Sequence, residues 1–233
     1  MFVSTRAIVL RSVRHKDRGA VVTLYTEHHG LRSYAARIGG KGGHPPALFG
    51  PLQRLVVVAS ERGDRDIHQL REVRSDKPFT NVGLDPVRGS VALFIQEVLL
   101  RTLRAESADA GLFTFVMDAL EELDGGQRTQ QLPVSFLLGL CDQLGFAPTM
   151  DGTGPATWFD MEEGAFTATE PAHPHAFGGA AVLLLGDLLS GLNDSKHAHA
   201  RKDLLDQLLL YYRLHIAGFG ELRSPSVLKA VLA

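Results

Sequence analysis

The first 75 residues of this chain contain five short apolar runs with no helical period among them, whereas a helical period begins after Asn81. The runs are rich in the β-branched and aromatic residues that suit a pleated surface. They cover Ala7 to Leu10, Ala20 to Thr26, Leu31 to Ile38, Leu52 to Ala59 and Ile67 to Arg74. Five strands of this length predict a small closed barrel, either of the Greek-key OB type or of the SH3-like type, which has a similar strand count.

Beyond Asn81 the sequence predicts helices. Asp85 is a typical N-cap and Pro86 a typical first helical residue, and apolar residues then recur at helical spacing as far as Leu103. Further helices are expected at about 110–123, 132–144, 180–192 and 201–217, followed by a short final helix. The segment at about 146–179 breaks this pattern, and Glu162-Glu163-Gly164 predicts the turn of a small β-hairpin.

We therefore predict an α+β protein with two domains. A five-stranded OB-fold barrel is expected over residues 1–80, and an α-helical domain over residues 81–233 carries the cysteine-free β-hairpin insertion. At 233 residues and 45% hydrophobic composition, the chain is large enough to bury the core that this fold needs. No secretory signal pattern is visible, and the longest apolar run, Ala180 to Leu185, is too short for a membrane span. We expect a cytoplasmic protein that does not bind a membrane.

Charge is distributed unevenly along the chain. Residues 1–60 carry nine Lys and Arg against Asp17 and Glu27, a balance of +7, while residues 81–233 carry ten basic and nineteen acidic residues, a balance of −9. A basic head on an acidic body is typical of a chain whose one half binds a polyanion. The structural alternative remains open, in which solvated Arg and Lys protect the edges of the sheet.

The basic residues of the head predict where a polyanion would bind. The expected phosphate contacts are Arg14, Lys16, Arg32, Arg37 and Lys41. Tyr34 or Tyr25 is the expected stacking surface, since Arg32 and Tyr34 share one face of their strand, although packing in the barrel is an equal alternative for Tyr34. Lys41 lies among four glycines, which predict a mobile basic loop rather than a P-loop because the GxxxxGK[ST] pattern is missing.

No catalytic constellation is visible, and we predict that the protein is not an enzyme and uses no cofactor. The GxSxG, HExxH and GxGxxG patterns are all missing from the sequence. The one cysteine, Cys141, lies among leucines at helical spacing and is expected to be a buried structural thiol.

The histidine-rich insertion is the one segment with side chains that suit a metal ion. Its candidate ligands are His173 and His175, together with Asp160 or with the pair His197 and His199. The intervening proline and the lack of HExxH-type spacing argue against such a site, so we predict no metal. A small metal-dependent hydrolase built on this segment is the alternative, and elemental analysis tests it.

Three segments of the chain resemble the RecO family of bacterial recombination and repair mediators. The strand pattern of the opening TRAIVLRSVRHKDRGAVVTLYTEHHGLRSYAAR is similar to the start of that family. The segment KPFTNVGLDPVRGSVALFIQEVLLRTLR resembles its linker and first helix, and YYRLHIAGFGELRSPSVL resembles its closing helix. The three segments occur in the family's order, and the resemblance covers nearly the whole chain.

The resemblance implies an N-terminal OB-fold joined to a helical domain, in a nucleoid-associated protein without enzymatic activity. The implied function is to bind single- and double-stranded DNA, to anneal complementary strands and to help load RecA onto strands coated with single-strand-binding protein. The implied protein partners are RecR and the acidic, apolar-ended C-terminal tail of single-strand-binding protein. Many members carry a four-cysteine zinc site where this chain has Gly145 to Gly179, so zinc is not carried over. Aromatic packing is expected in its place, from Trp158, Phe159, Phe166 and Phe177.

A binding site for that tail needs an apolar pocket beside a cation. Arg101 and Arg104, at the end of the first predicted helix, are the expected cations, with solvated helix-end charges as the alternative. A function of another class also remains open, a non-catalytic assembly module whose basic head binds an acidic protein partner rather than DNA.

Overall fold

The computed structural model describes residues 2–15, 19–60, 66–104, 108–150, 157–192 and 195–231. The chain divides into two compact units, Met1–Gln127 and Arg128–Ala233. The first unit contains a closed five-stranded barrel and two α-helices, and the second contains further helices and a small sheet. A barrel followed by helices confirms the predicted α+β fold class.

The barrel strands are connected in the order β1-β2-β3-β5-β4, and β4 pairs again with β1. They are β1 Phe2–His15, β2 Gly19–Thr26, β3 Gly30–Arg37, β4 Arg54–Ser60 and β5 Ile67–Ser75. β3 and β5 pair in parallel over three residue pairs, whereas the other neighbours are antiparallel. This closed five-stranded arrangement agrees with the OB-type alternative.

Alternation along the strands separates the interior of the barrel from its outer surface. Leu55, Val57 and Ala59 of β4, for example, are buried while the residues between them are partly exposed. The buried core of the barrel comprises Ala7, Val9, Ala20, Val22, Leu24, Tyr34, Ala36, Phe49, Leu55, Val57, Ala59 and Leu70. Residues 2–8 of β1 pair with β4 and residues 7–15 pair with β2, and the β1–β2 register shifts between Val9 and Arg11, an irregularity of the kind that bends a long strand.

Two helices pack in the same compact unit as the barrel, α1 Pro86–Thr102 and α2 Ala110–Gly125. The Asp85 carboxylate accepts a hydrogen bond from the backbone N–H of Val87 at 2.8 Å, and Pro86 is the first helical residue, as predicted. The Gln96 amide donates to the Leu10 carbonyl at 2.7 Å, which fastens α1 to β1. The first compact unit thus extends beyond residue 80, the predicted domain boundary, which stays a prediction.

The segment between the barrel and α1 is held by a buried arginine, Arg54, and by the carboxylate of Asp124, which accepts hydrogen bonds from its backbone. Arg54 is 1% exposed, and its guanidinium lies 4.6 Å from the centre of the Phe79 ring. Asp124 of α2 accepts hydrogen bonds of 2.8 to 3.2 Å from the backbone N–H groups of residues 80–82. Burial raises the pKa of Asp124, but those three N–H groups and the nearby Arg54 outweigh it, so the pKa lies below its ordinary value.

The second unit combines four α-helices with a three-stranded sheet within the described ranges. Its elements are α3 Leu132–Leu144, β6 Trp158–Asp160, β7 Ala165–Thr167, β8 Ala176–Gly178, α4 Gly179–Leu189, α5 Arg201–His215 and α6 Ser224–Val231. β6 and β7 form the predicted hairpin, and β8, which the sequence analysis missed, pairs with the other edge of β6. Gly145 ends α3 with φ of 81°, a conformation that favours glycine.

Aromatic side chains form the core beneath this sheet. The fully buried Phe159 ring lies 5.3 Å from Phe166, 5.4 Å from Phe177 and 5.6 Å from Tyr211. The Tyr212 hydroxyl donates to the Leu137 carbonyl at 2.7 Å, which joins α5 to α3. Removing apolar surface from water stabilises the fold by about 25 cal/mol per Å², so the burial of these rings contributes several kcal/mol. No helix within the described ranges has both the length and the apolar character needed to cross a membrane.

Candidate nucleic-acid interface

The outer surface of the barrel is indented along the contact between β3 and β5. Two depressions of about 540 and 530 Å³ adjoin here, and both have Ala35, Gln69 and Arg71 in their walls. One extends towards Phe2 and the other towards Arg37. We call this continuous surface the seam groove; its lining includes Phe2, Ala35, Arg37, Gly42, His44, Ile67, Gln69 and Arg71.

One end of the seam groove carries an exposed aromatic ring beside an arginine. The guanidinium of Arg71 lies 4.8 Å from the centre of the Phe2 ring, and Phe2 is 54% exposed. Val58 pairs with Glu72 and Ala59 with Leu70, which leaves Arg71 as the extra residue of a β-bulge. Bulges change the direction of a side chain, and this one explains how Arg71 reaches Phe2. Neither residue is predicted from the sequence, because Phe2 precedes the basic stretch and Arg71 lies in a segment whose positive and negative charges cancel.

The other end of the seam groove carries Arg37 and the glycine-rich loop. The backbone N–H of His44 donates to the Arg37 carbonyl and that of Gly39 donates to the His44 carbonyl, both at 2.8 Å, so the loop returns beside β3. Gly39 and Gly42 have φ of 71° and 80°, a backbone conformation that side chains with a Cβ rarely adopt. Lys41 is exposed within this turn. The predicted mobility of the loop stays a prediction.

The other predicted phosphate contacts lie outside the lining of the seam groove. Arg14 is exposed near the end of β1, and Arg32 is half-buried on β3, opposite Leu24. Lys16 lies outside the described residues. Of the five predicted cations, the structure thus brings Arg37 and the Lys41 loop together and places the remaining described ones elsewhere on the barrel.

The two tyrosines pack inside the protein rather than at its surface. Tyr34 does share the face of β3 with Arg32, but that face points inward, and Tyr34 is 0% exposed in the barrel core. Tyr25 is also buried, with its ring 5.6 Å from Phe113 and its hydroxyl 3.4 Å from the Asp109 carbonyl. Burial, reinforced by Asp109, raises the pKa of Tyr25. Tyr34 thus packs in the barrel core, whereas Phe2 presents an exposed ring at the seam groove.

Arg37 and Arg71 line the seam groove, and Lys41 lies on the glycine-rich loop that borders it through Gly42 and His44. Within the described ranges, no ion pair joins Arg37, Lys41 or Arg71 to a carboxylate. Arg6, in contrast, donates to Glu27 at 2.6 Å. This hydrogen bond raises the pKa of Arg6 and lowers that of Glu27, so the pair is already neutralised.

The second unit contains a smaller groove with an apolar floor and a basic rim. Its volume is about 300 Å³, and the apolar part consists of Pro133, Val134, Ala198 and Leu205. Its rim is formed by Gln130, His199, Arg201, Lys202 and Lys229, and we call this surface the unit-2 groove. Burial lowers the pKa of Arg201, but a guanidinium remains charged at neutral pH.

Arg101 and Arg104, the predicted partner contacts, belong to the first unit. Arg101 is exposed on the last turn of α1, and Arg104 is exposed just after that helix. Neither residue lines one of the grooves described above, whereas the unit-2 groove combines an apolar floor with cations.

The insertion of this chain does not fit a four-cysteine zinc site. The one cysteine of the sequence, Cys141, lies outside the insertion, is buried in α3 and has a pKa raised by burial to about 12. A thiolate needed for zinc is therefore missing, and the donor atoms that the insertion does provide are imidazole nitrogens and carboxylate oxygens.

Comparisons with known proteins agree with this architecture. A family model described as "Recombination protein O N terminal" matches residues 1–79, and one described as "Recombination protein O C terminal" matches residues 83–154. A Porphyromonas gingivalis protein named "DNA repair protein RecO" is 32% identical over 247 residues that cover 99% of each chain. Proteins of the same name from Flavobacterium psychrophilum (28% identical, 100% of each chain) and Azobacteroides pseudotrichonymphae (25% identical, 99% of each chain) also match.

Proposed function

We propose that this chain, which belongs to the RecO family of recombination proteins, acts in DNA repair and recombination by binding single- and double-stranded DNA. The observation that carries the proposal is the meeting of Arg37, the Lys41 loop and the Phe2–Arg71 pair in one groove of an OB-type barrel. Barrels of this type bind single strands by combining a cationic groove with aromatic rings.

The seam groove offers different groups to the two parts of a nucleotide. Arg37, Lys41 and Arg71 donate hydrogen bonds to phosphate oxygens, and each neutralised phosphate releases counterions. The exposed ring of Phe2 stacks on a base, and the Arg71 guanidinium beside it adds a cation to that surface. Neither interaction depends on the identity of the base, so binding is tolerant of sequence and sensitive to salt.

Strand annealing follows from the same surface. For two strands to pair, the repulsion between their phosphate backbones must be reduced while neither strand is held tightly. A shallow groove with further cations outside it meets this need. The exposed Arg14 and the half-buried Arg32 are among the described residues that supply such cations, and Lys16 is expected to add another. No covalent bond changes in this process, so the proposed function is not enzymatic. Helping to load RecA onto strands coated with single-strand-binding protein belongs to the same proposal.

The proposed protein partners are RecR and the C-terminal tail of single-strand-binding protein. For an acidic tail with an apolar end, the unit-2 groove supplies an apolar floor at Val134 and Leu205 and cations at Arg201 and Lys202. Arg101 and Arg104 stay the competing prediction. No residue is assigned to the contact with RecR.

A labelled peptide with an acidic, apolar-ended sequence separates the two tail sites. Arg201→Ala with Lys202→Ala should weaken its binding about tenfold or more, because hydrogen bonds to charged groups contribute about 1.5–3 kcal/mol each. The matched pair Arg101→Ala with Arg104→Ala removes the same charge from the first unit. Loss of binding in the second pair alone would assign the tail to the end of α1 instead.

A thiol placed in the seam groove tests the DNA site directly. Cys141 is buried, and its pKa of about 12 makes it unreactive at neutral pH, so a new cysteine at the exposed Gln69 is the reactive thiol. A single-stranded oligonucleotide should slow alkylation of Gln69→Cys and leave Thr114→Cys, on exposed α2, unaffected. Equal rates with and without the oligonucleotide at both positions would refute the site. If an anisotropy titration also showed no binding of the oligonucleotide, the acidic-protein alternative would stand.

A further inference from the structure

The turn after β6 and the segment before β8 bring three possible metal ligands together. β6 pairs with β8 so that Asp160 lies opposite Ala176, and the backbone N–H of Met161 donates to the His175 carbonyl at 2.9 Å. Glu162, which follows this pair, therefore lies beside the residues that precede β8. One ligand atom from each of Glu162, His173 and His175 lies within 4.8 Å of the others.

The distances between these donor atoms suit a tetrahedral ion. The Glu162 Oε1 atom is 2.7 Å from His175 Nδ1 and 3.7 Å from His173 Nδ1. Zinc bonds of about 2.0–2.1 Å place neighbouring tetrahedral ligands about 3.3 Å apart, between those two values. The two histidine donor atoms lie within 4.8 Å of each other, and all three side chains are partly exposed, which leaves them room to adjust to an ion.

His173 is held in the orientation and tautomer that a ligand needs. Its Nε2 atom lies 3.1 Å from Asp160 Oδ2, while Oδ1 of Asp160 accepts from the backbone N–H groups of Glu162 at 2.8 Å and Glu163 at 3.2 Å. With Nε2–H donated to this carboxylate, Nδ1 keeps its lone pair. That atom is buried and has no hydrogen-bond partner among the described residues. A carboxylate behind a histidine is the arrangement that orients metal-binding imidazoles.

We propose that Glu162 Oε1, His173 Nδ1 and His175 Nδ1 bind one Zn²⁺ ion, with water as the fourth ligand and Asp160 as the positioning residue. Two imidazoles and a carboxylate are a ligand set that zinc prefers. To bind the ion, His175 Nδ1 gives up its hydrogen bond to Glu162 Oε1, and the neutral imidazole then carries its proton on Nε2. The ion ties the turn after β6 to the start of β8 and so stabilises the edge of the three-stranded sheet. The sequence predicts other partners for the two histidines, either Asp160 or the pair His197 and His199, and Glu162 joins them only because β6 pairs with β8.

Titration of the full chain with Zn²⁺ alone, followed by calorimetry, tests the proposal, and Co²⁺ absorption reports the coordination geometry. The wild type should bind one equivalent, and Co²⁺ should give the intense visible bands of a tetrahedral site. Glu162→Gln should weaken zinc binding at least tenfold and reduce these bands, while the matched variant Glu163→Gln, one residue further along the same turn, should not. Asp160→Asn should weaken binding 10–100-fold without removing a ligand.

A second pair of variants separates a built site from ordinary surface histidines. His173→Ala with His175→Ala should abolish the tetrahedral Co²⁺ signal, whereas His197→Ala with His199→Ala should retain it. Circular dichroism of the metal-free variants is the control that checks whether each variant is folded. The proposal is overturned if the wild type binds no equivalent of zinc, if Glu162→Gln and Glu163→Gln bind alike, or if the two histidine pairs behave alike. DNA binding by the barrel is measured separately, so its failure and that of the metal site are distinguishable.

Discussion

Replacing Arg37, Lys41 and Arg71 together by alanine tests whether the seam groove holds a phosphate backbone. Each phosphate contact with a single strand contributes about 0.7 to the slope of log affinity against log salt concentration. Removing three contacts should therefore reduce the magnitude of the slope by about 2. When the salt concentration is raised from 50 to 200 mM, the factor by which affinity falls should therefore be about 20 times larger for the wild type than for the variant.

The assay is fluorescence anisotropy of a labelled oligothymidine at four salt concentrations. A matched control, Arg101→Ala with Lys196→Ala and Arg213→Ala, removes the same number of positive charges from exposed positions outside the groove. Its slope should stay close to that of the wild type, because a general change in net charge acts weakly at these salt concentrations.

Loss of folding does not provide an alternative explanation of the expected result. Within the described ranges, the three groove cations have no carboxylate partner, and substitutions at such surface positions usually change stability by about 0.5 kcal/mol or less. Thermal unfolding of the variant checks this point. The reasoning is refuted if the variant and wild-type slopes agree within error, or if the control reduces the slope as much as the groove variant does.

Three further predictions concern single positions. Phe2→Ala should weaken single-strand binding about fivefold or more in anisotropy titrations, whereas Tyr34→Phe should leave it unchanged; the opposite result would return stacking to Tyr34. Asp124→Asn should lower the free energy of unfolding by about 1–3 kcal/mol at pH 7. Because the folded-state pKa of Asp124 is lowered, its stabilisation is present above its unfolded pKa of about 3.9 and is lost as the pH falls through the folded value. The difference in free energy of unfolding between the wild type and Asp124→Asn, measured by urea titration, should therefore be smaller at about pH 3 than at pH 7. An equal difference at both pH values would contradict this. Cys141, whose pKa is raised to about 12, should resist iodoacetamide in the folded protein and react in urea; rapid labelling without urea would contradict its burial.

Local patterns were sufficient to predict most of the secondary structure. The five apolar runs correspond to the five barrel strands, the Asp85-Pro86 pair begins α1, and Gly145 ends α3. Each of these signals acts over a few residues, through side-chain shape, capping or backbone conformation, so it is visible in sequence. The missed strand β8 has three residues, too few to show a period of its own.

The candidate sites were less predictable because they depend on pairing between distant segments. A two-residue period showed correctly that Arg32 and Tyr34 share a face, but closure of the barrel decided that this face points inward. The bulge in β5 and the pairing of β1 with β4 brought Arg71 to Phe2. Neither event leaves a mark in the local sequence around these residues.

By itself, the sequence determined the element types, the basic head and acidic body, and the resemblance to the RecO family, since all of these depend on neighbouring residues or on composition. Only the tertiary structure decided which cations line the seam groove, which aromatic ring stays exposed, and that Glu162 meets His173 and His175. The physical reason is register: strand pairing is set by burial of the whole core, and a shift of one residue would move every side chain to the opposite face.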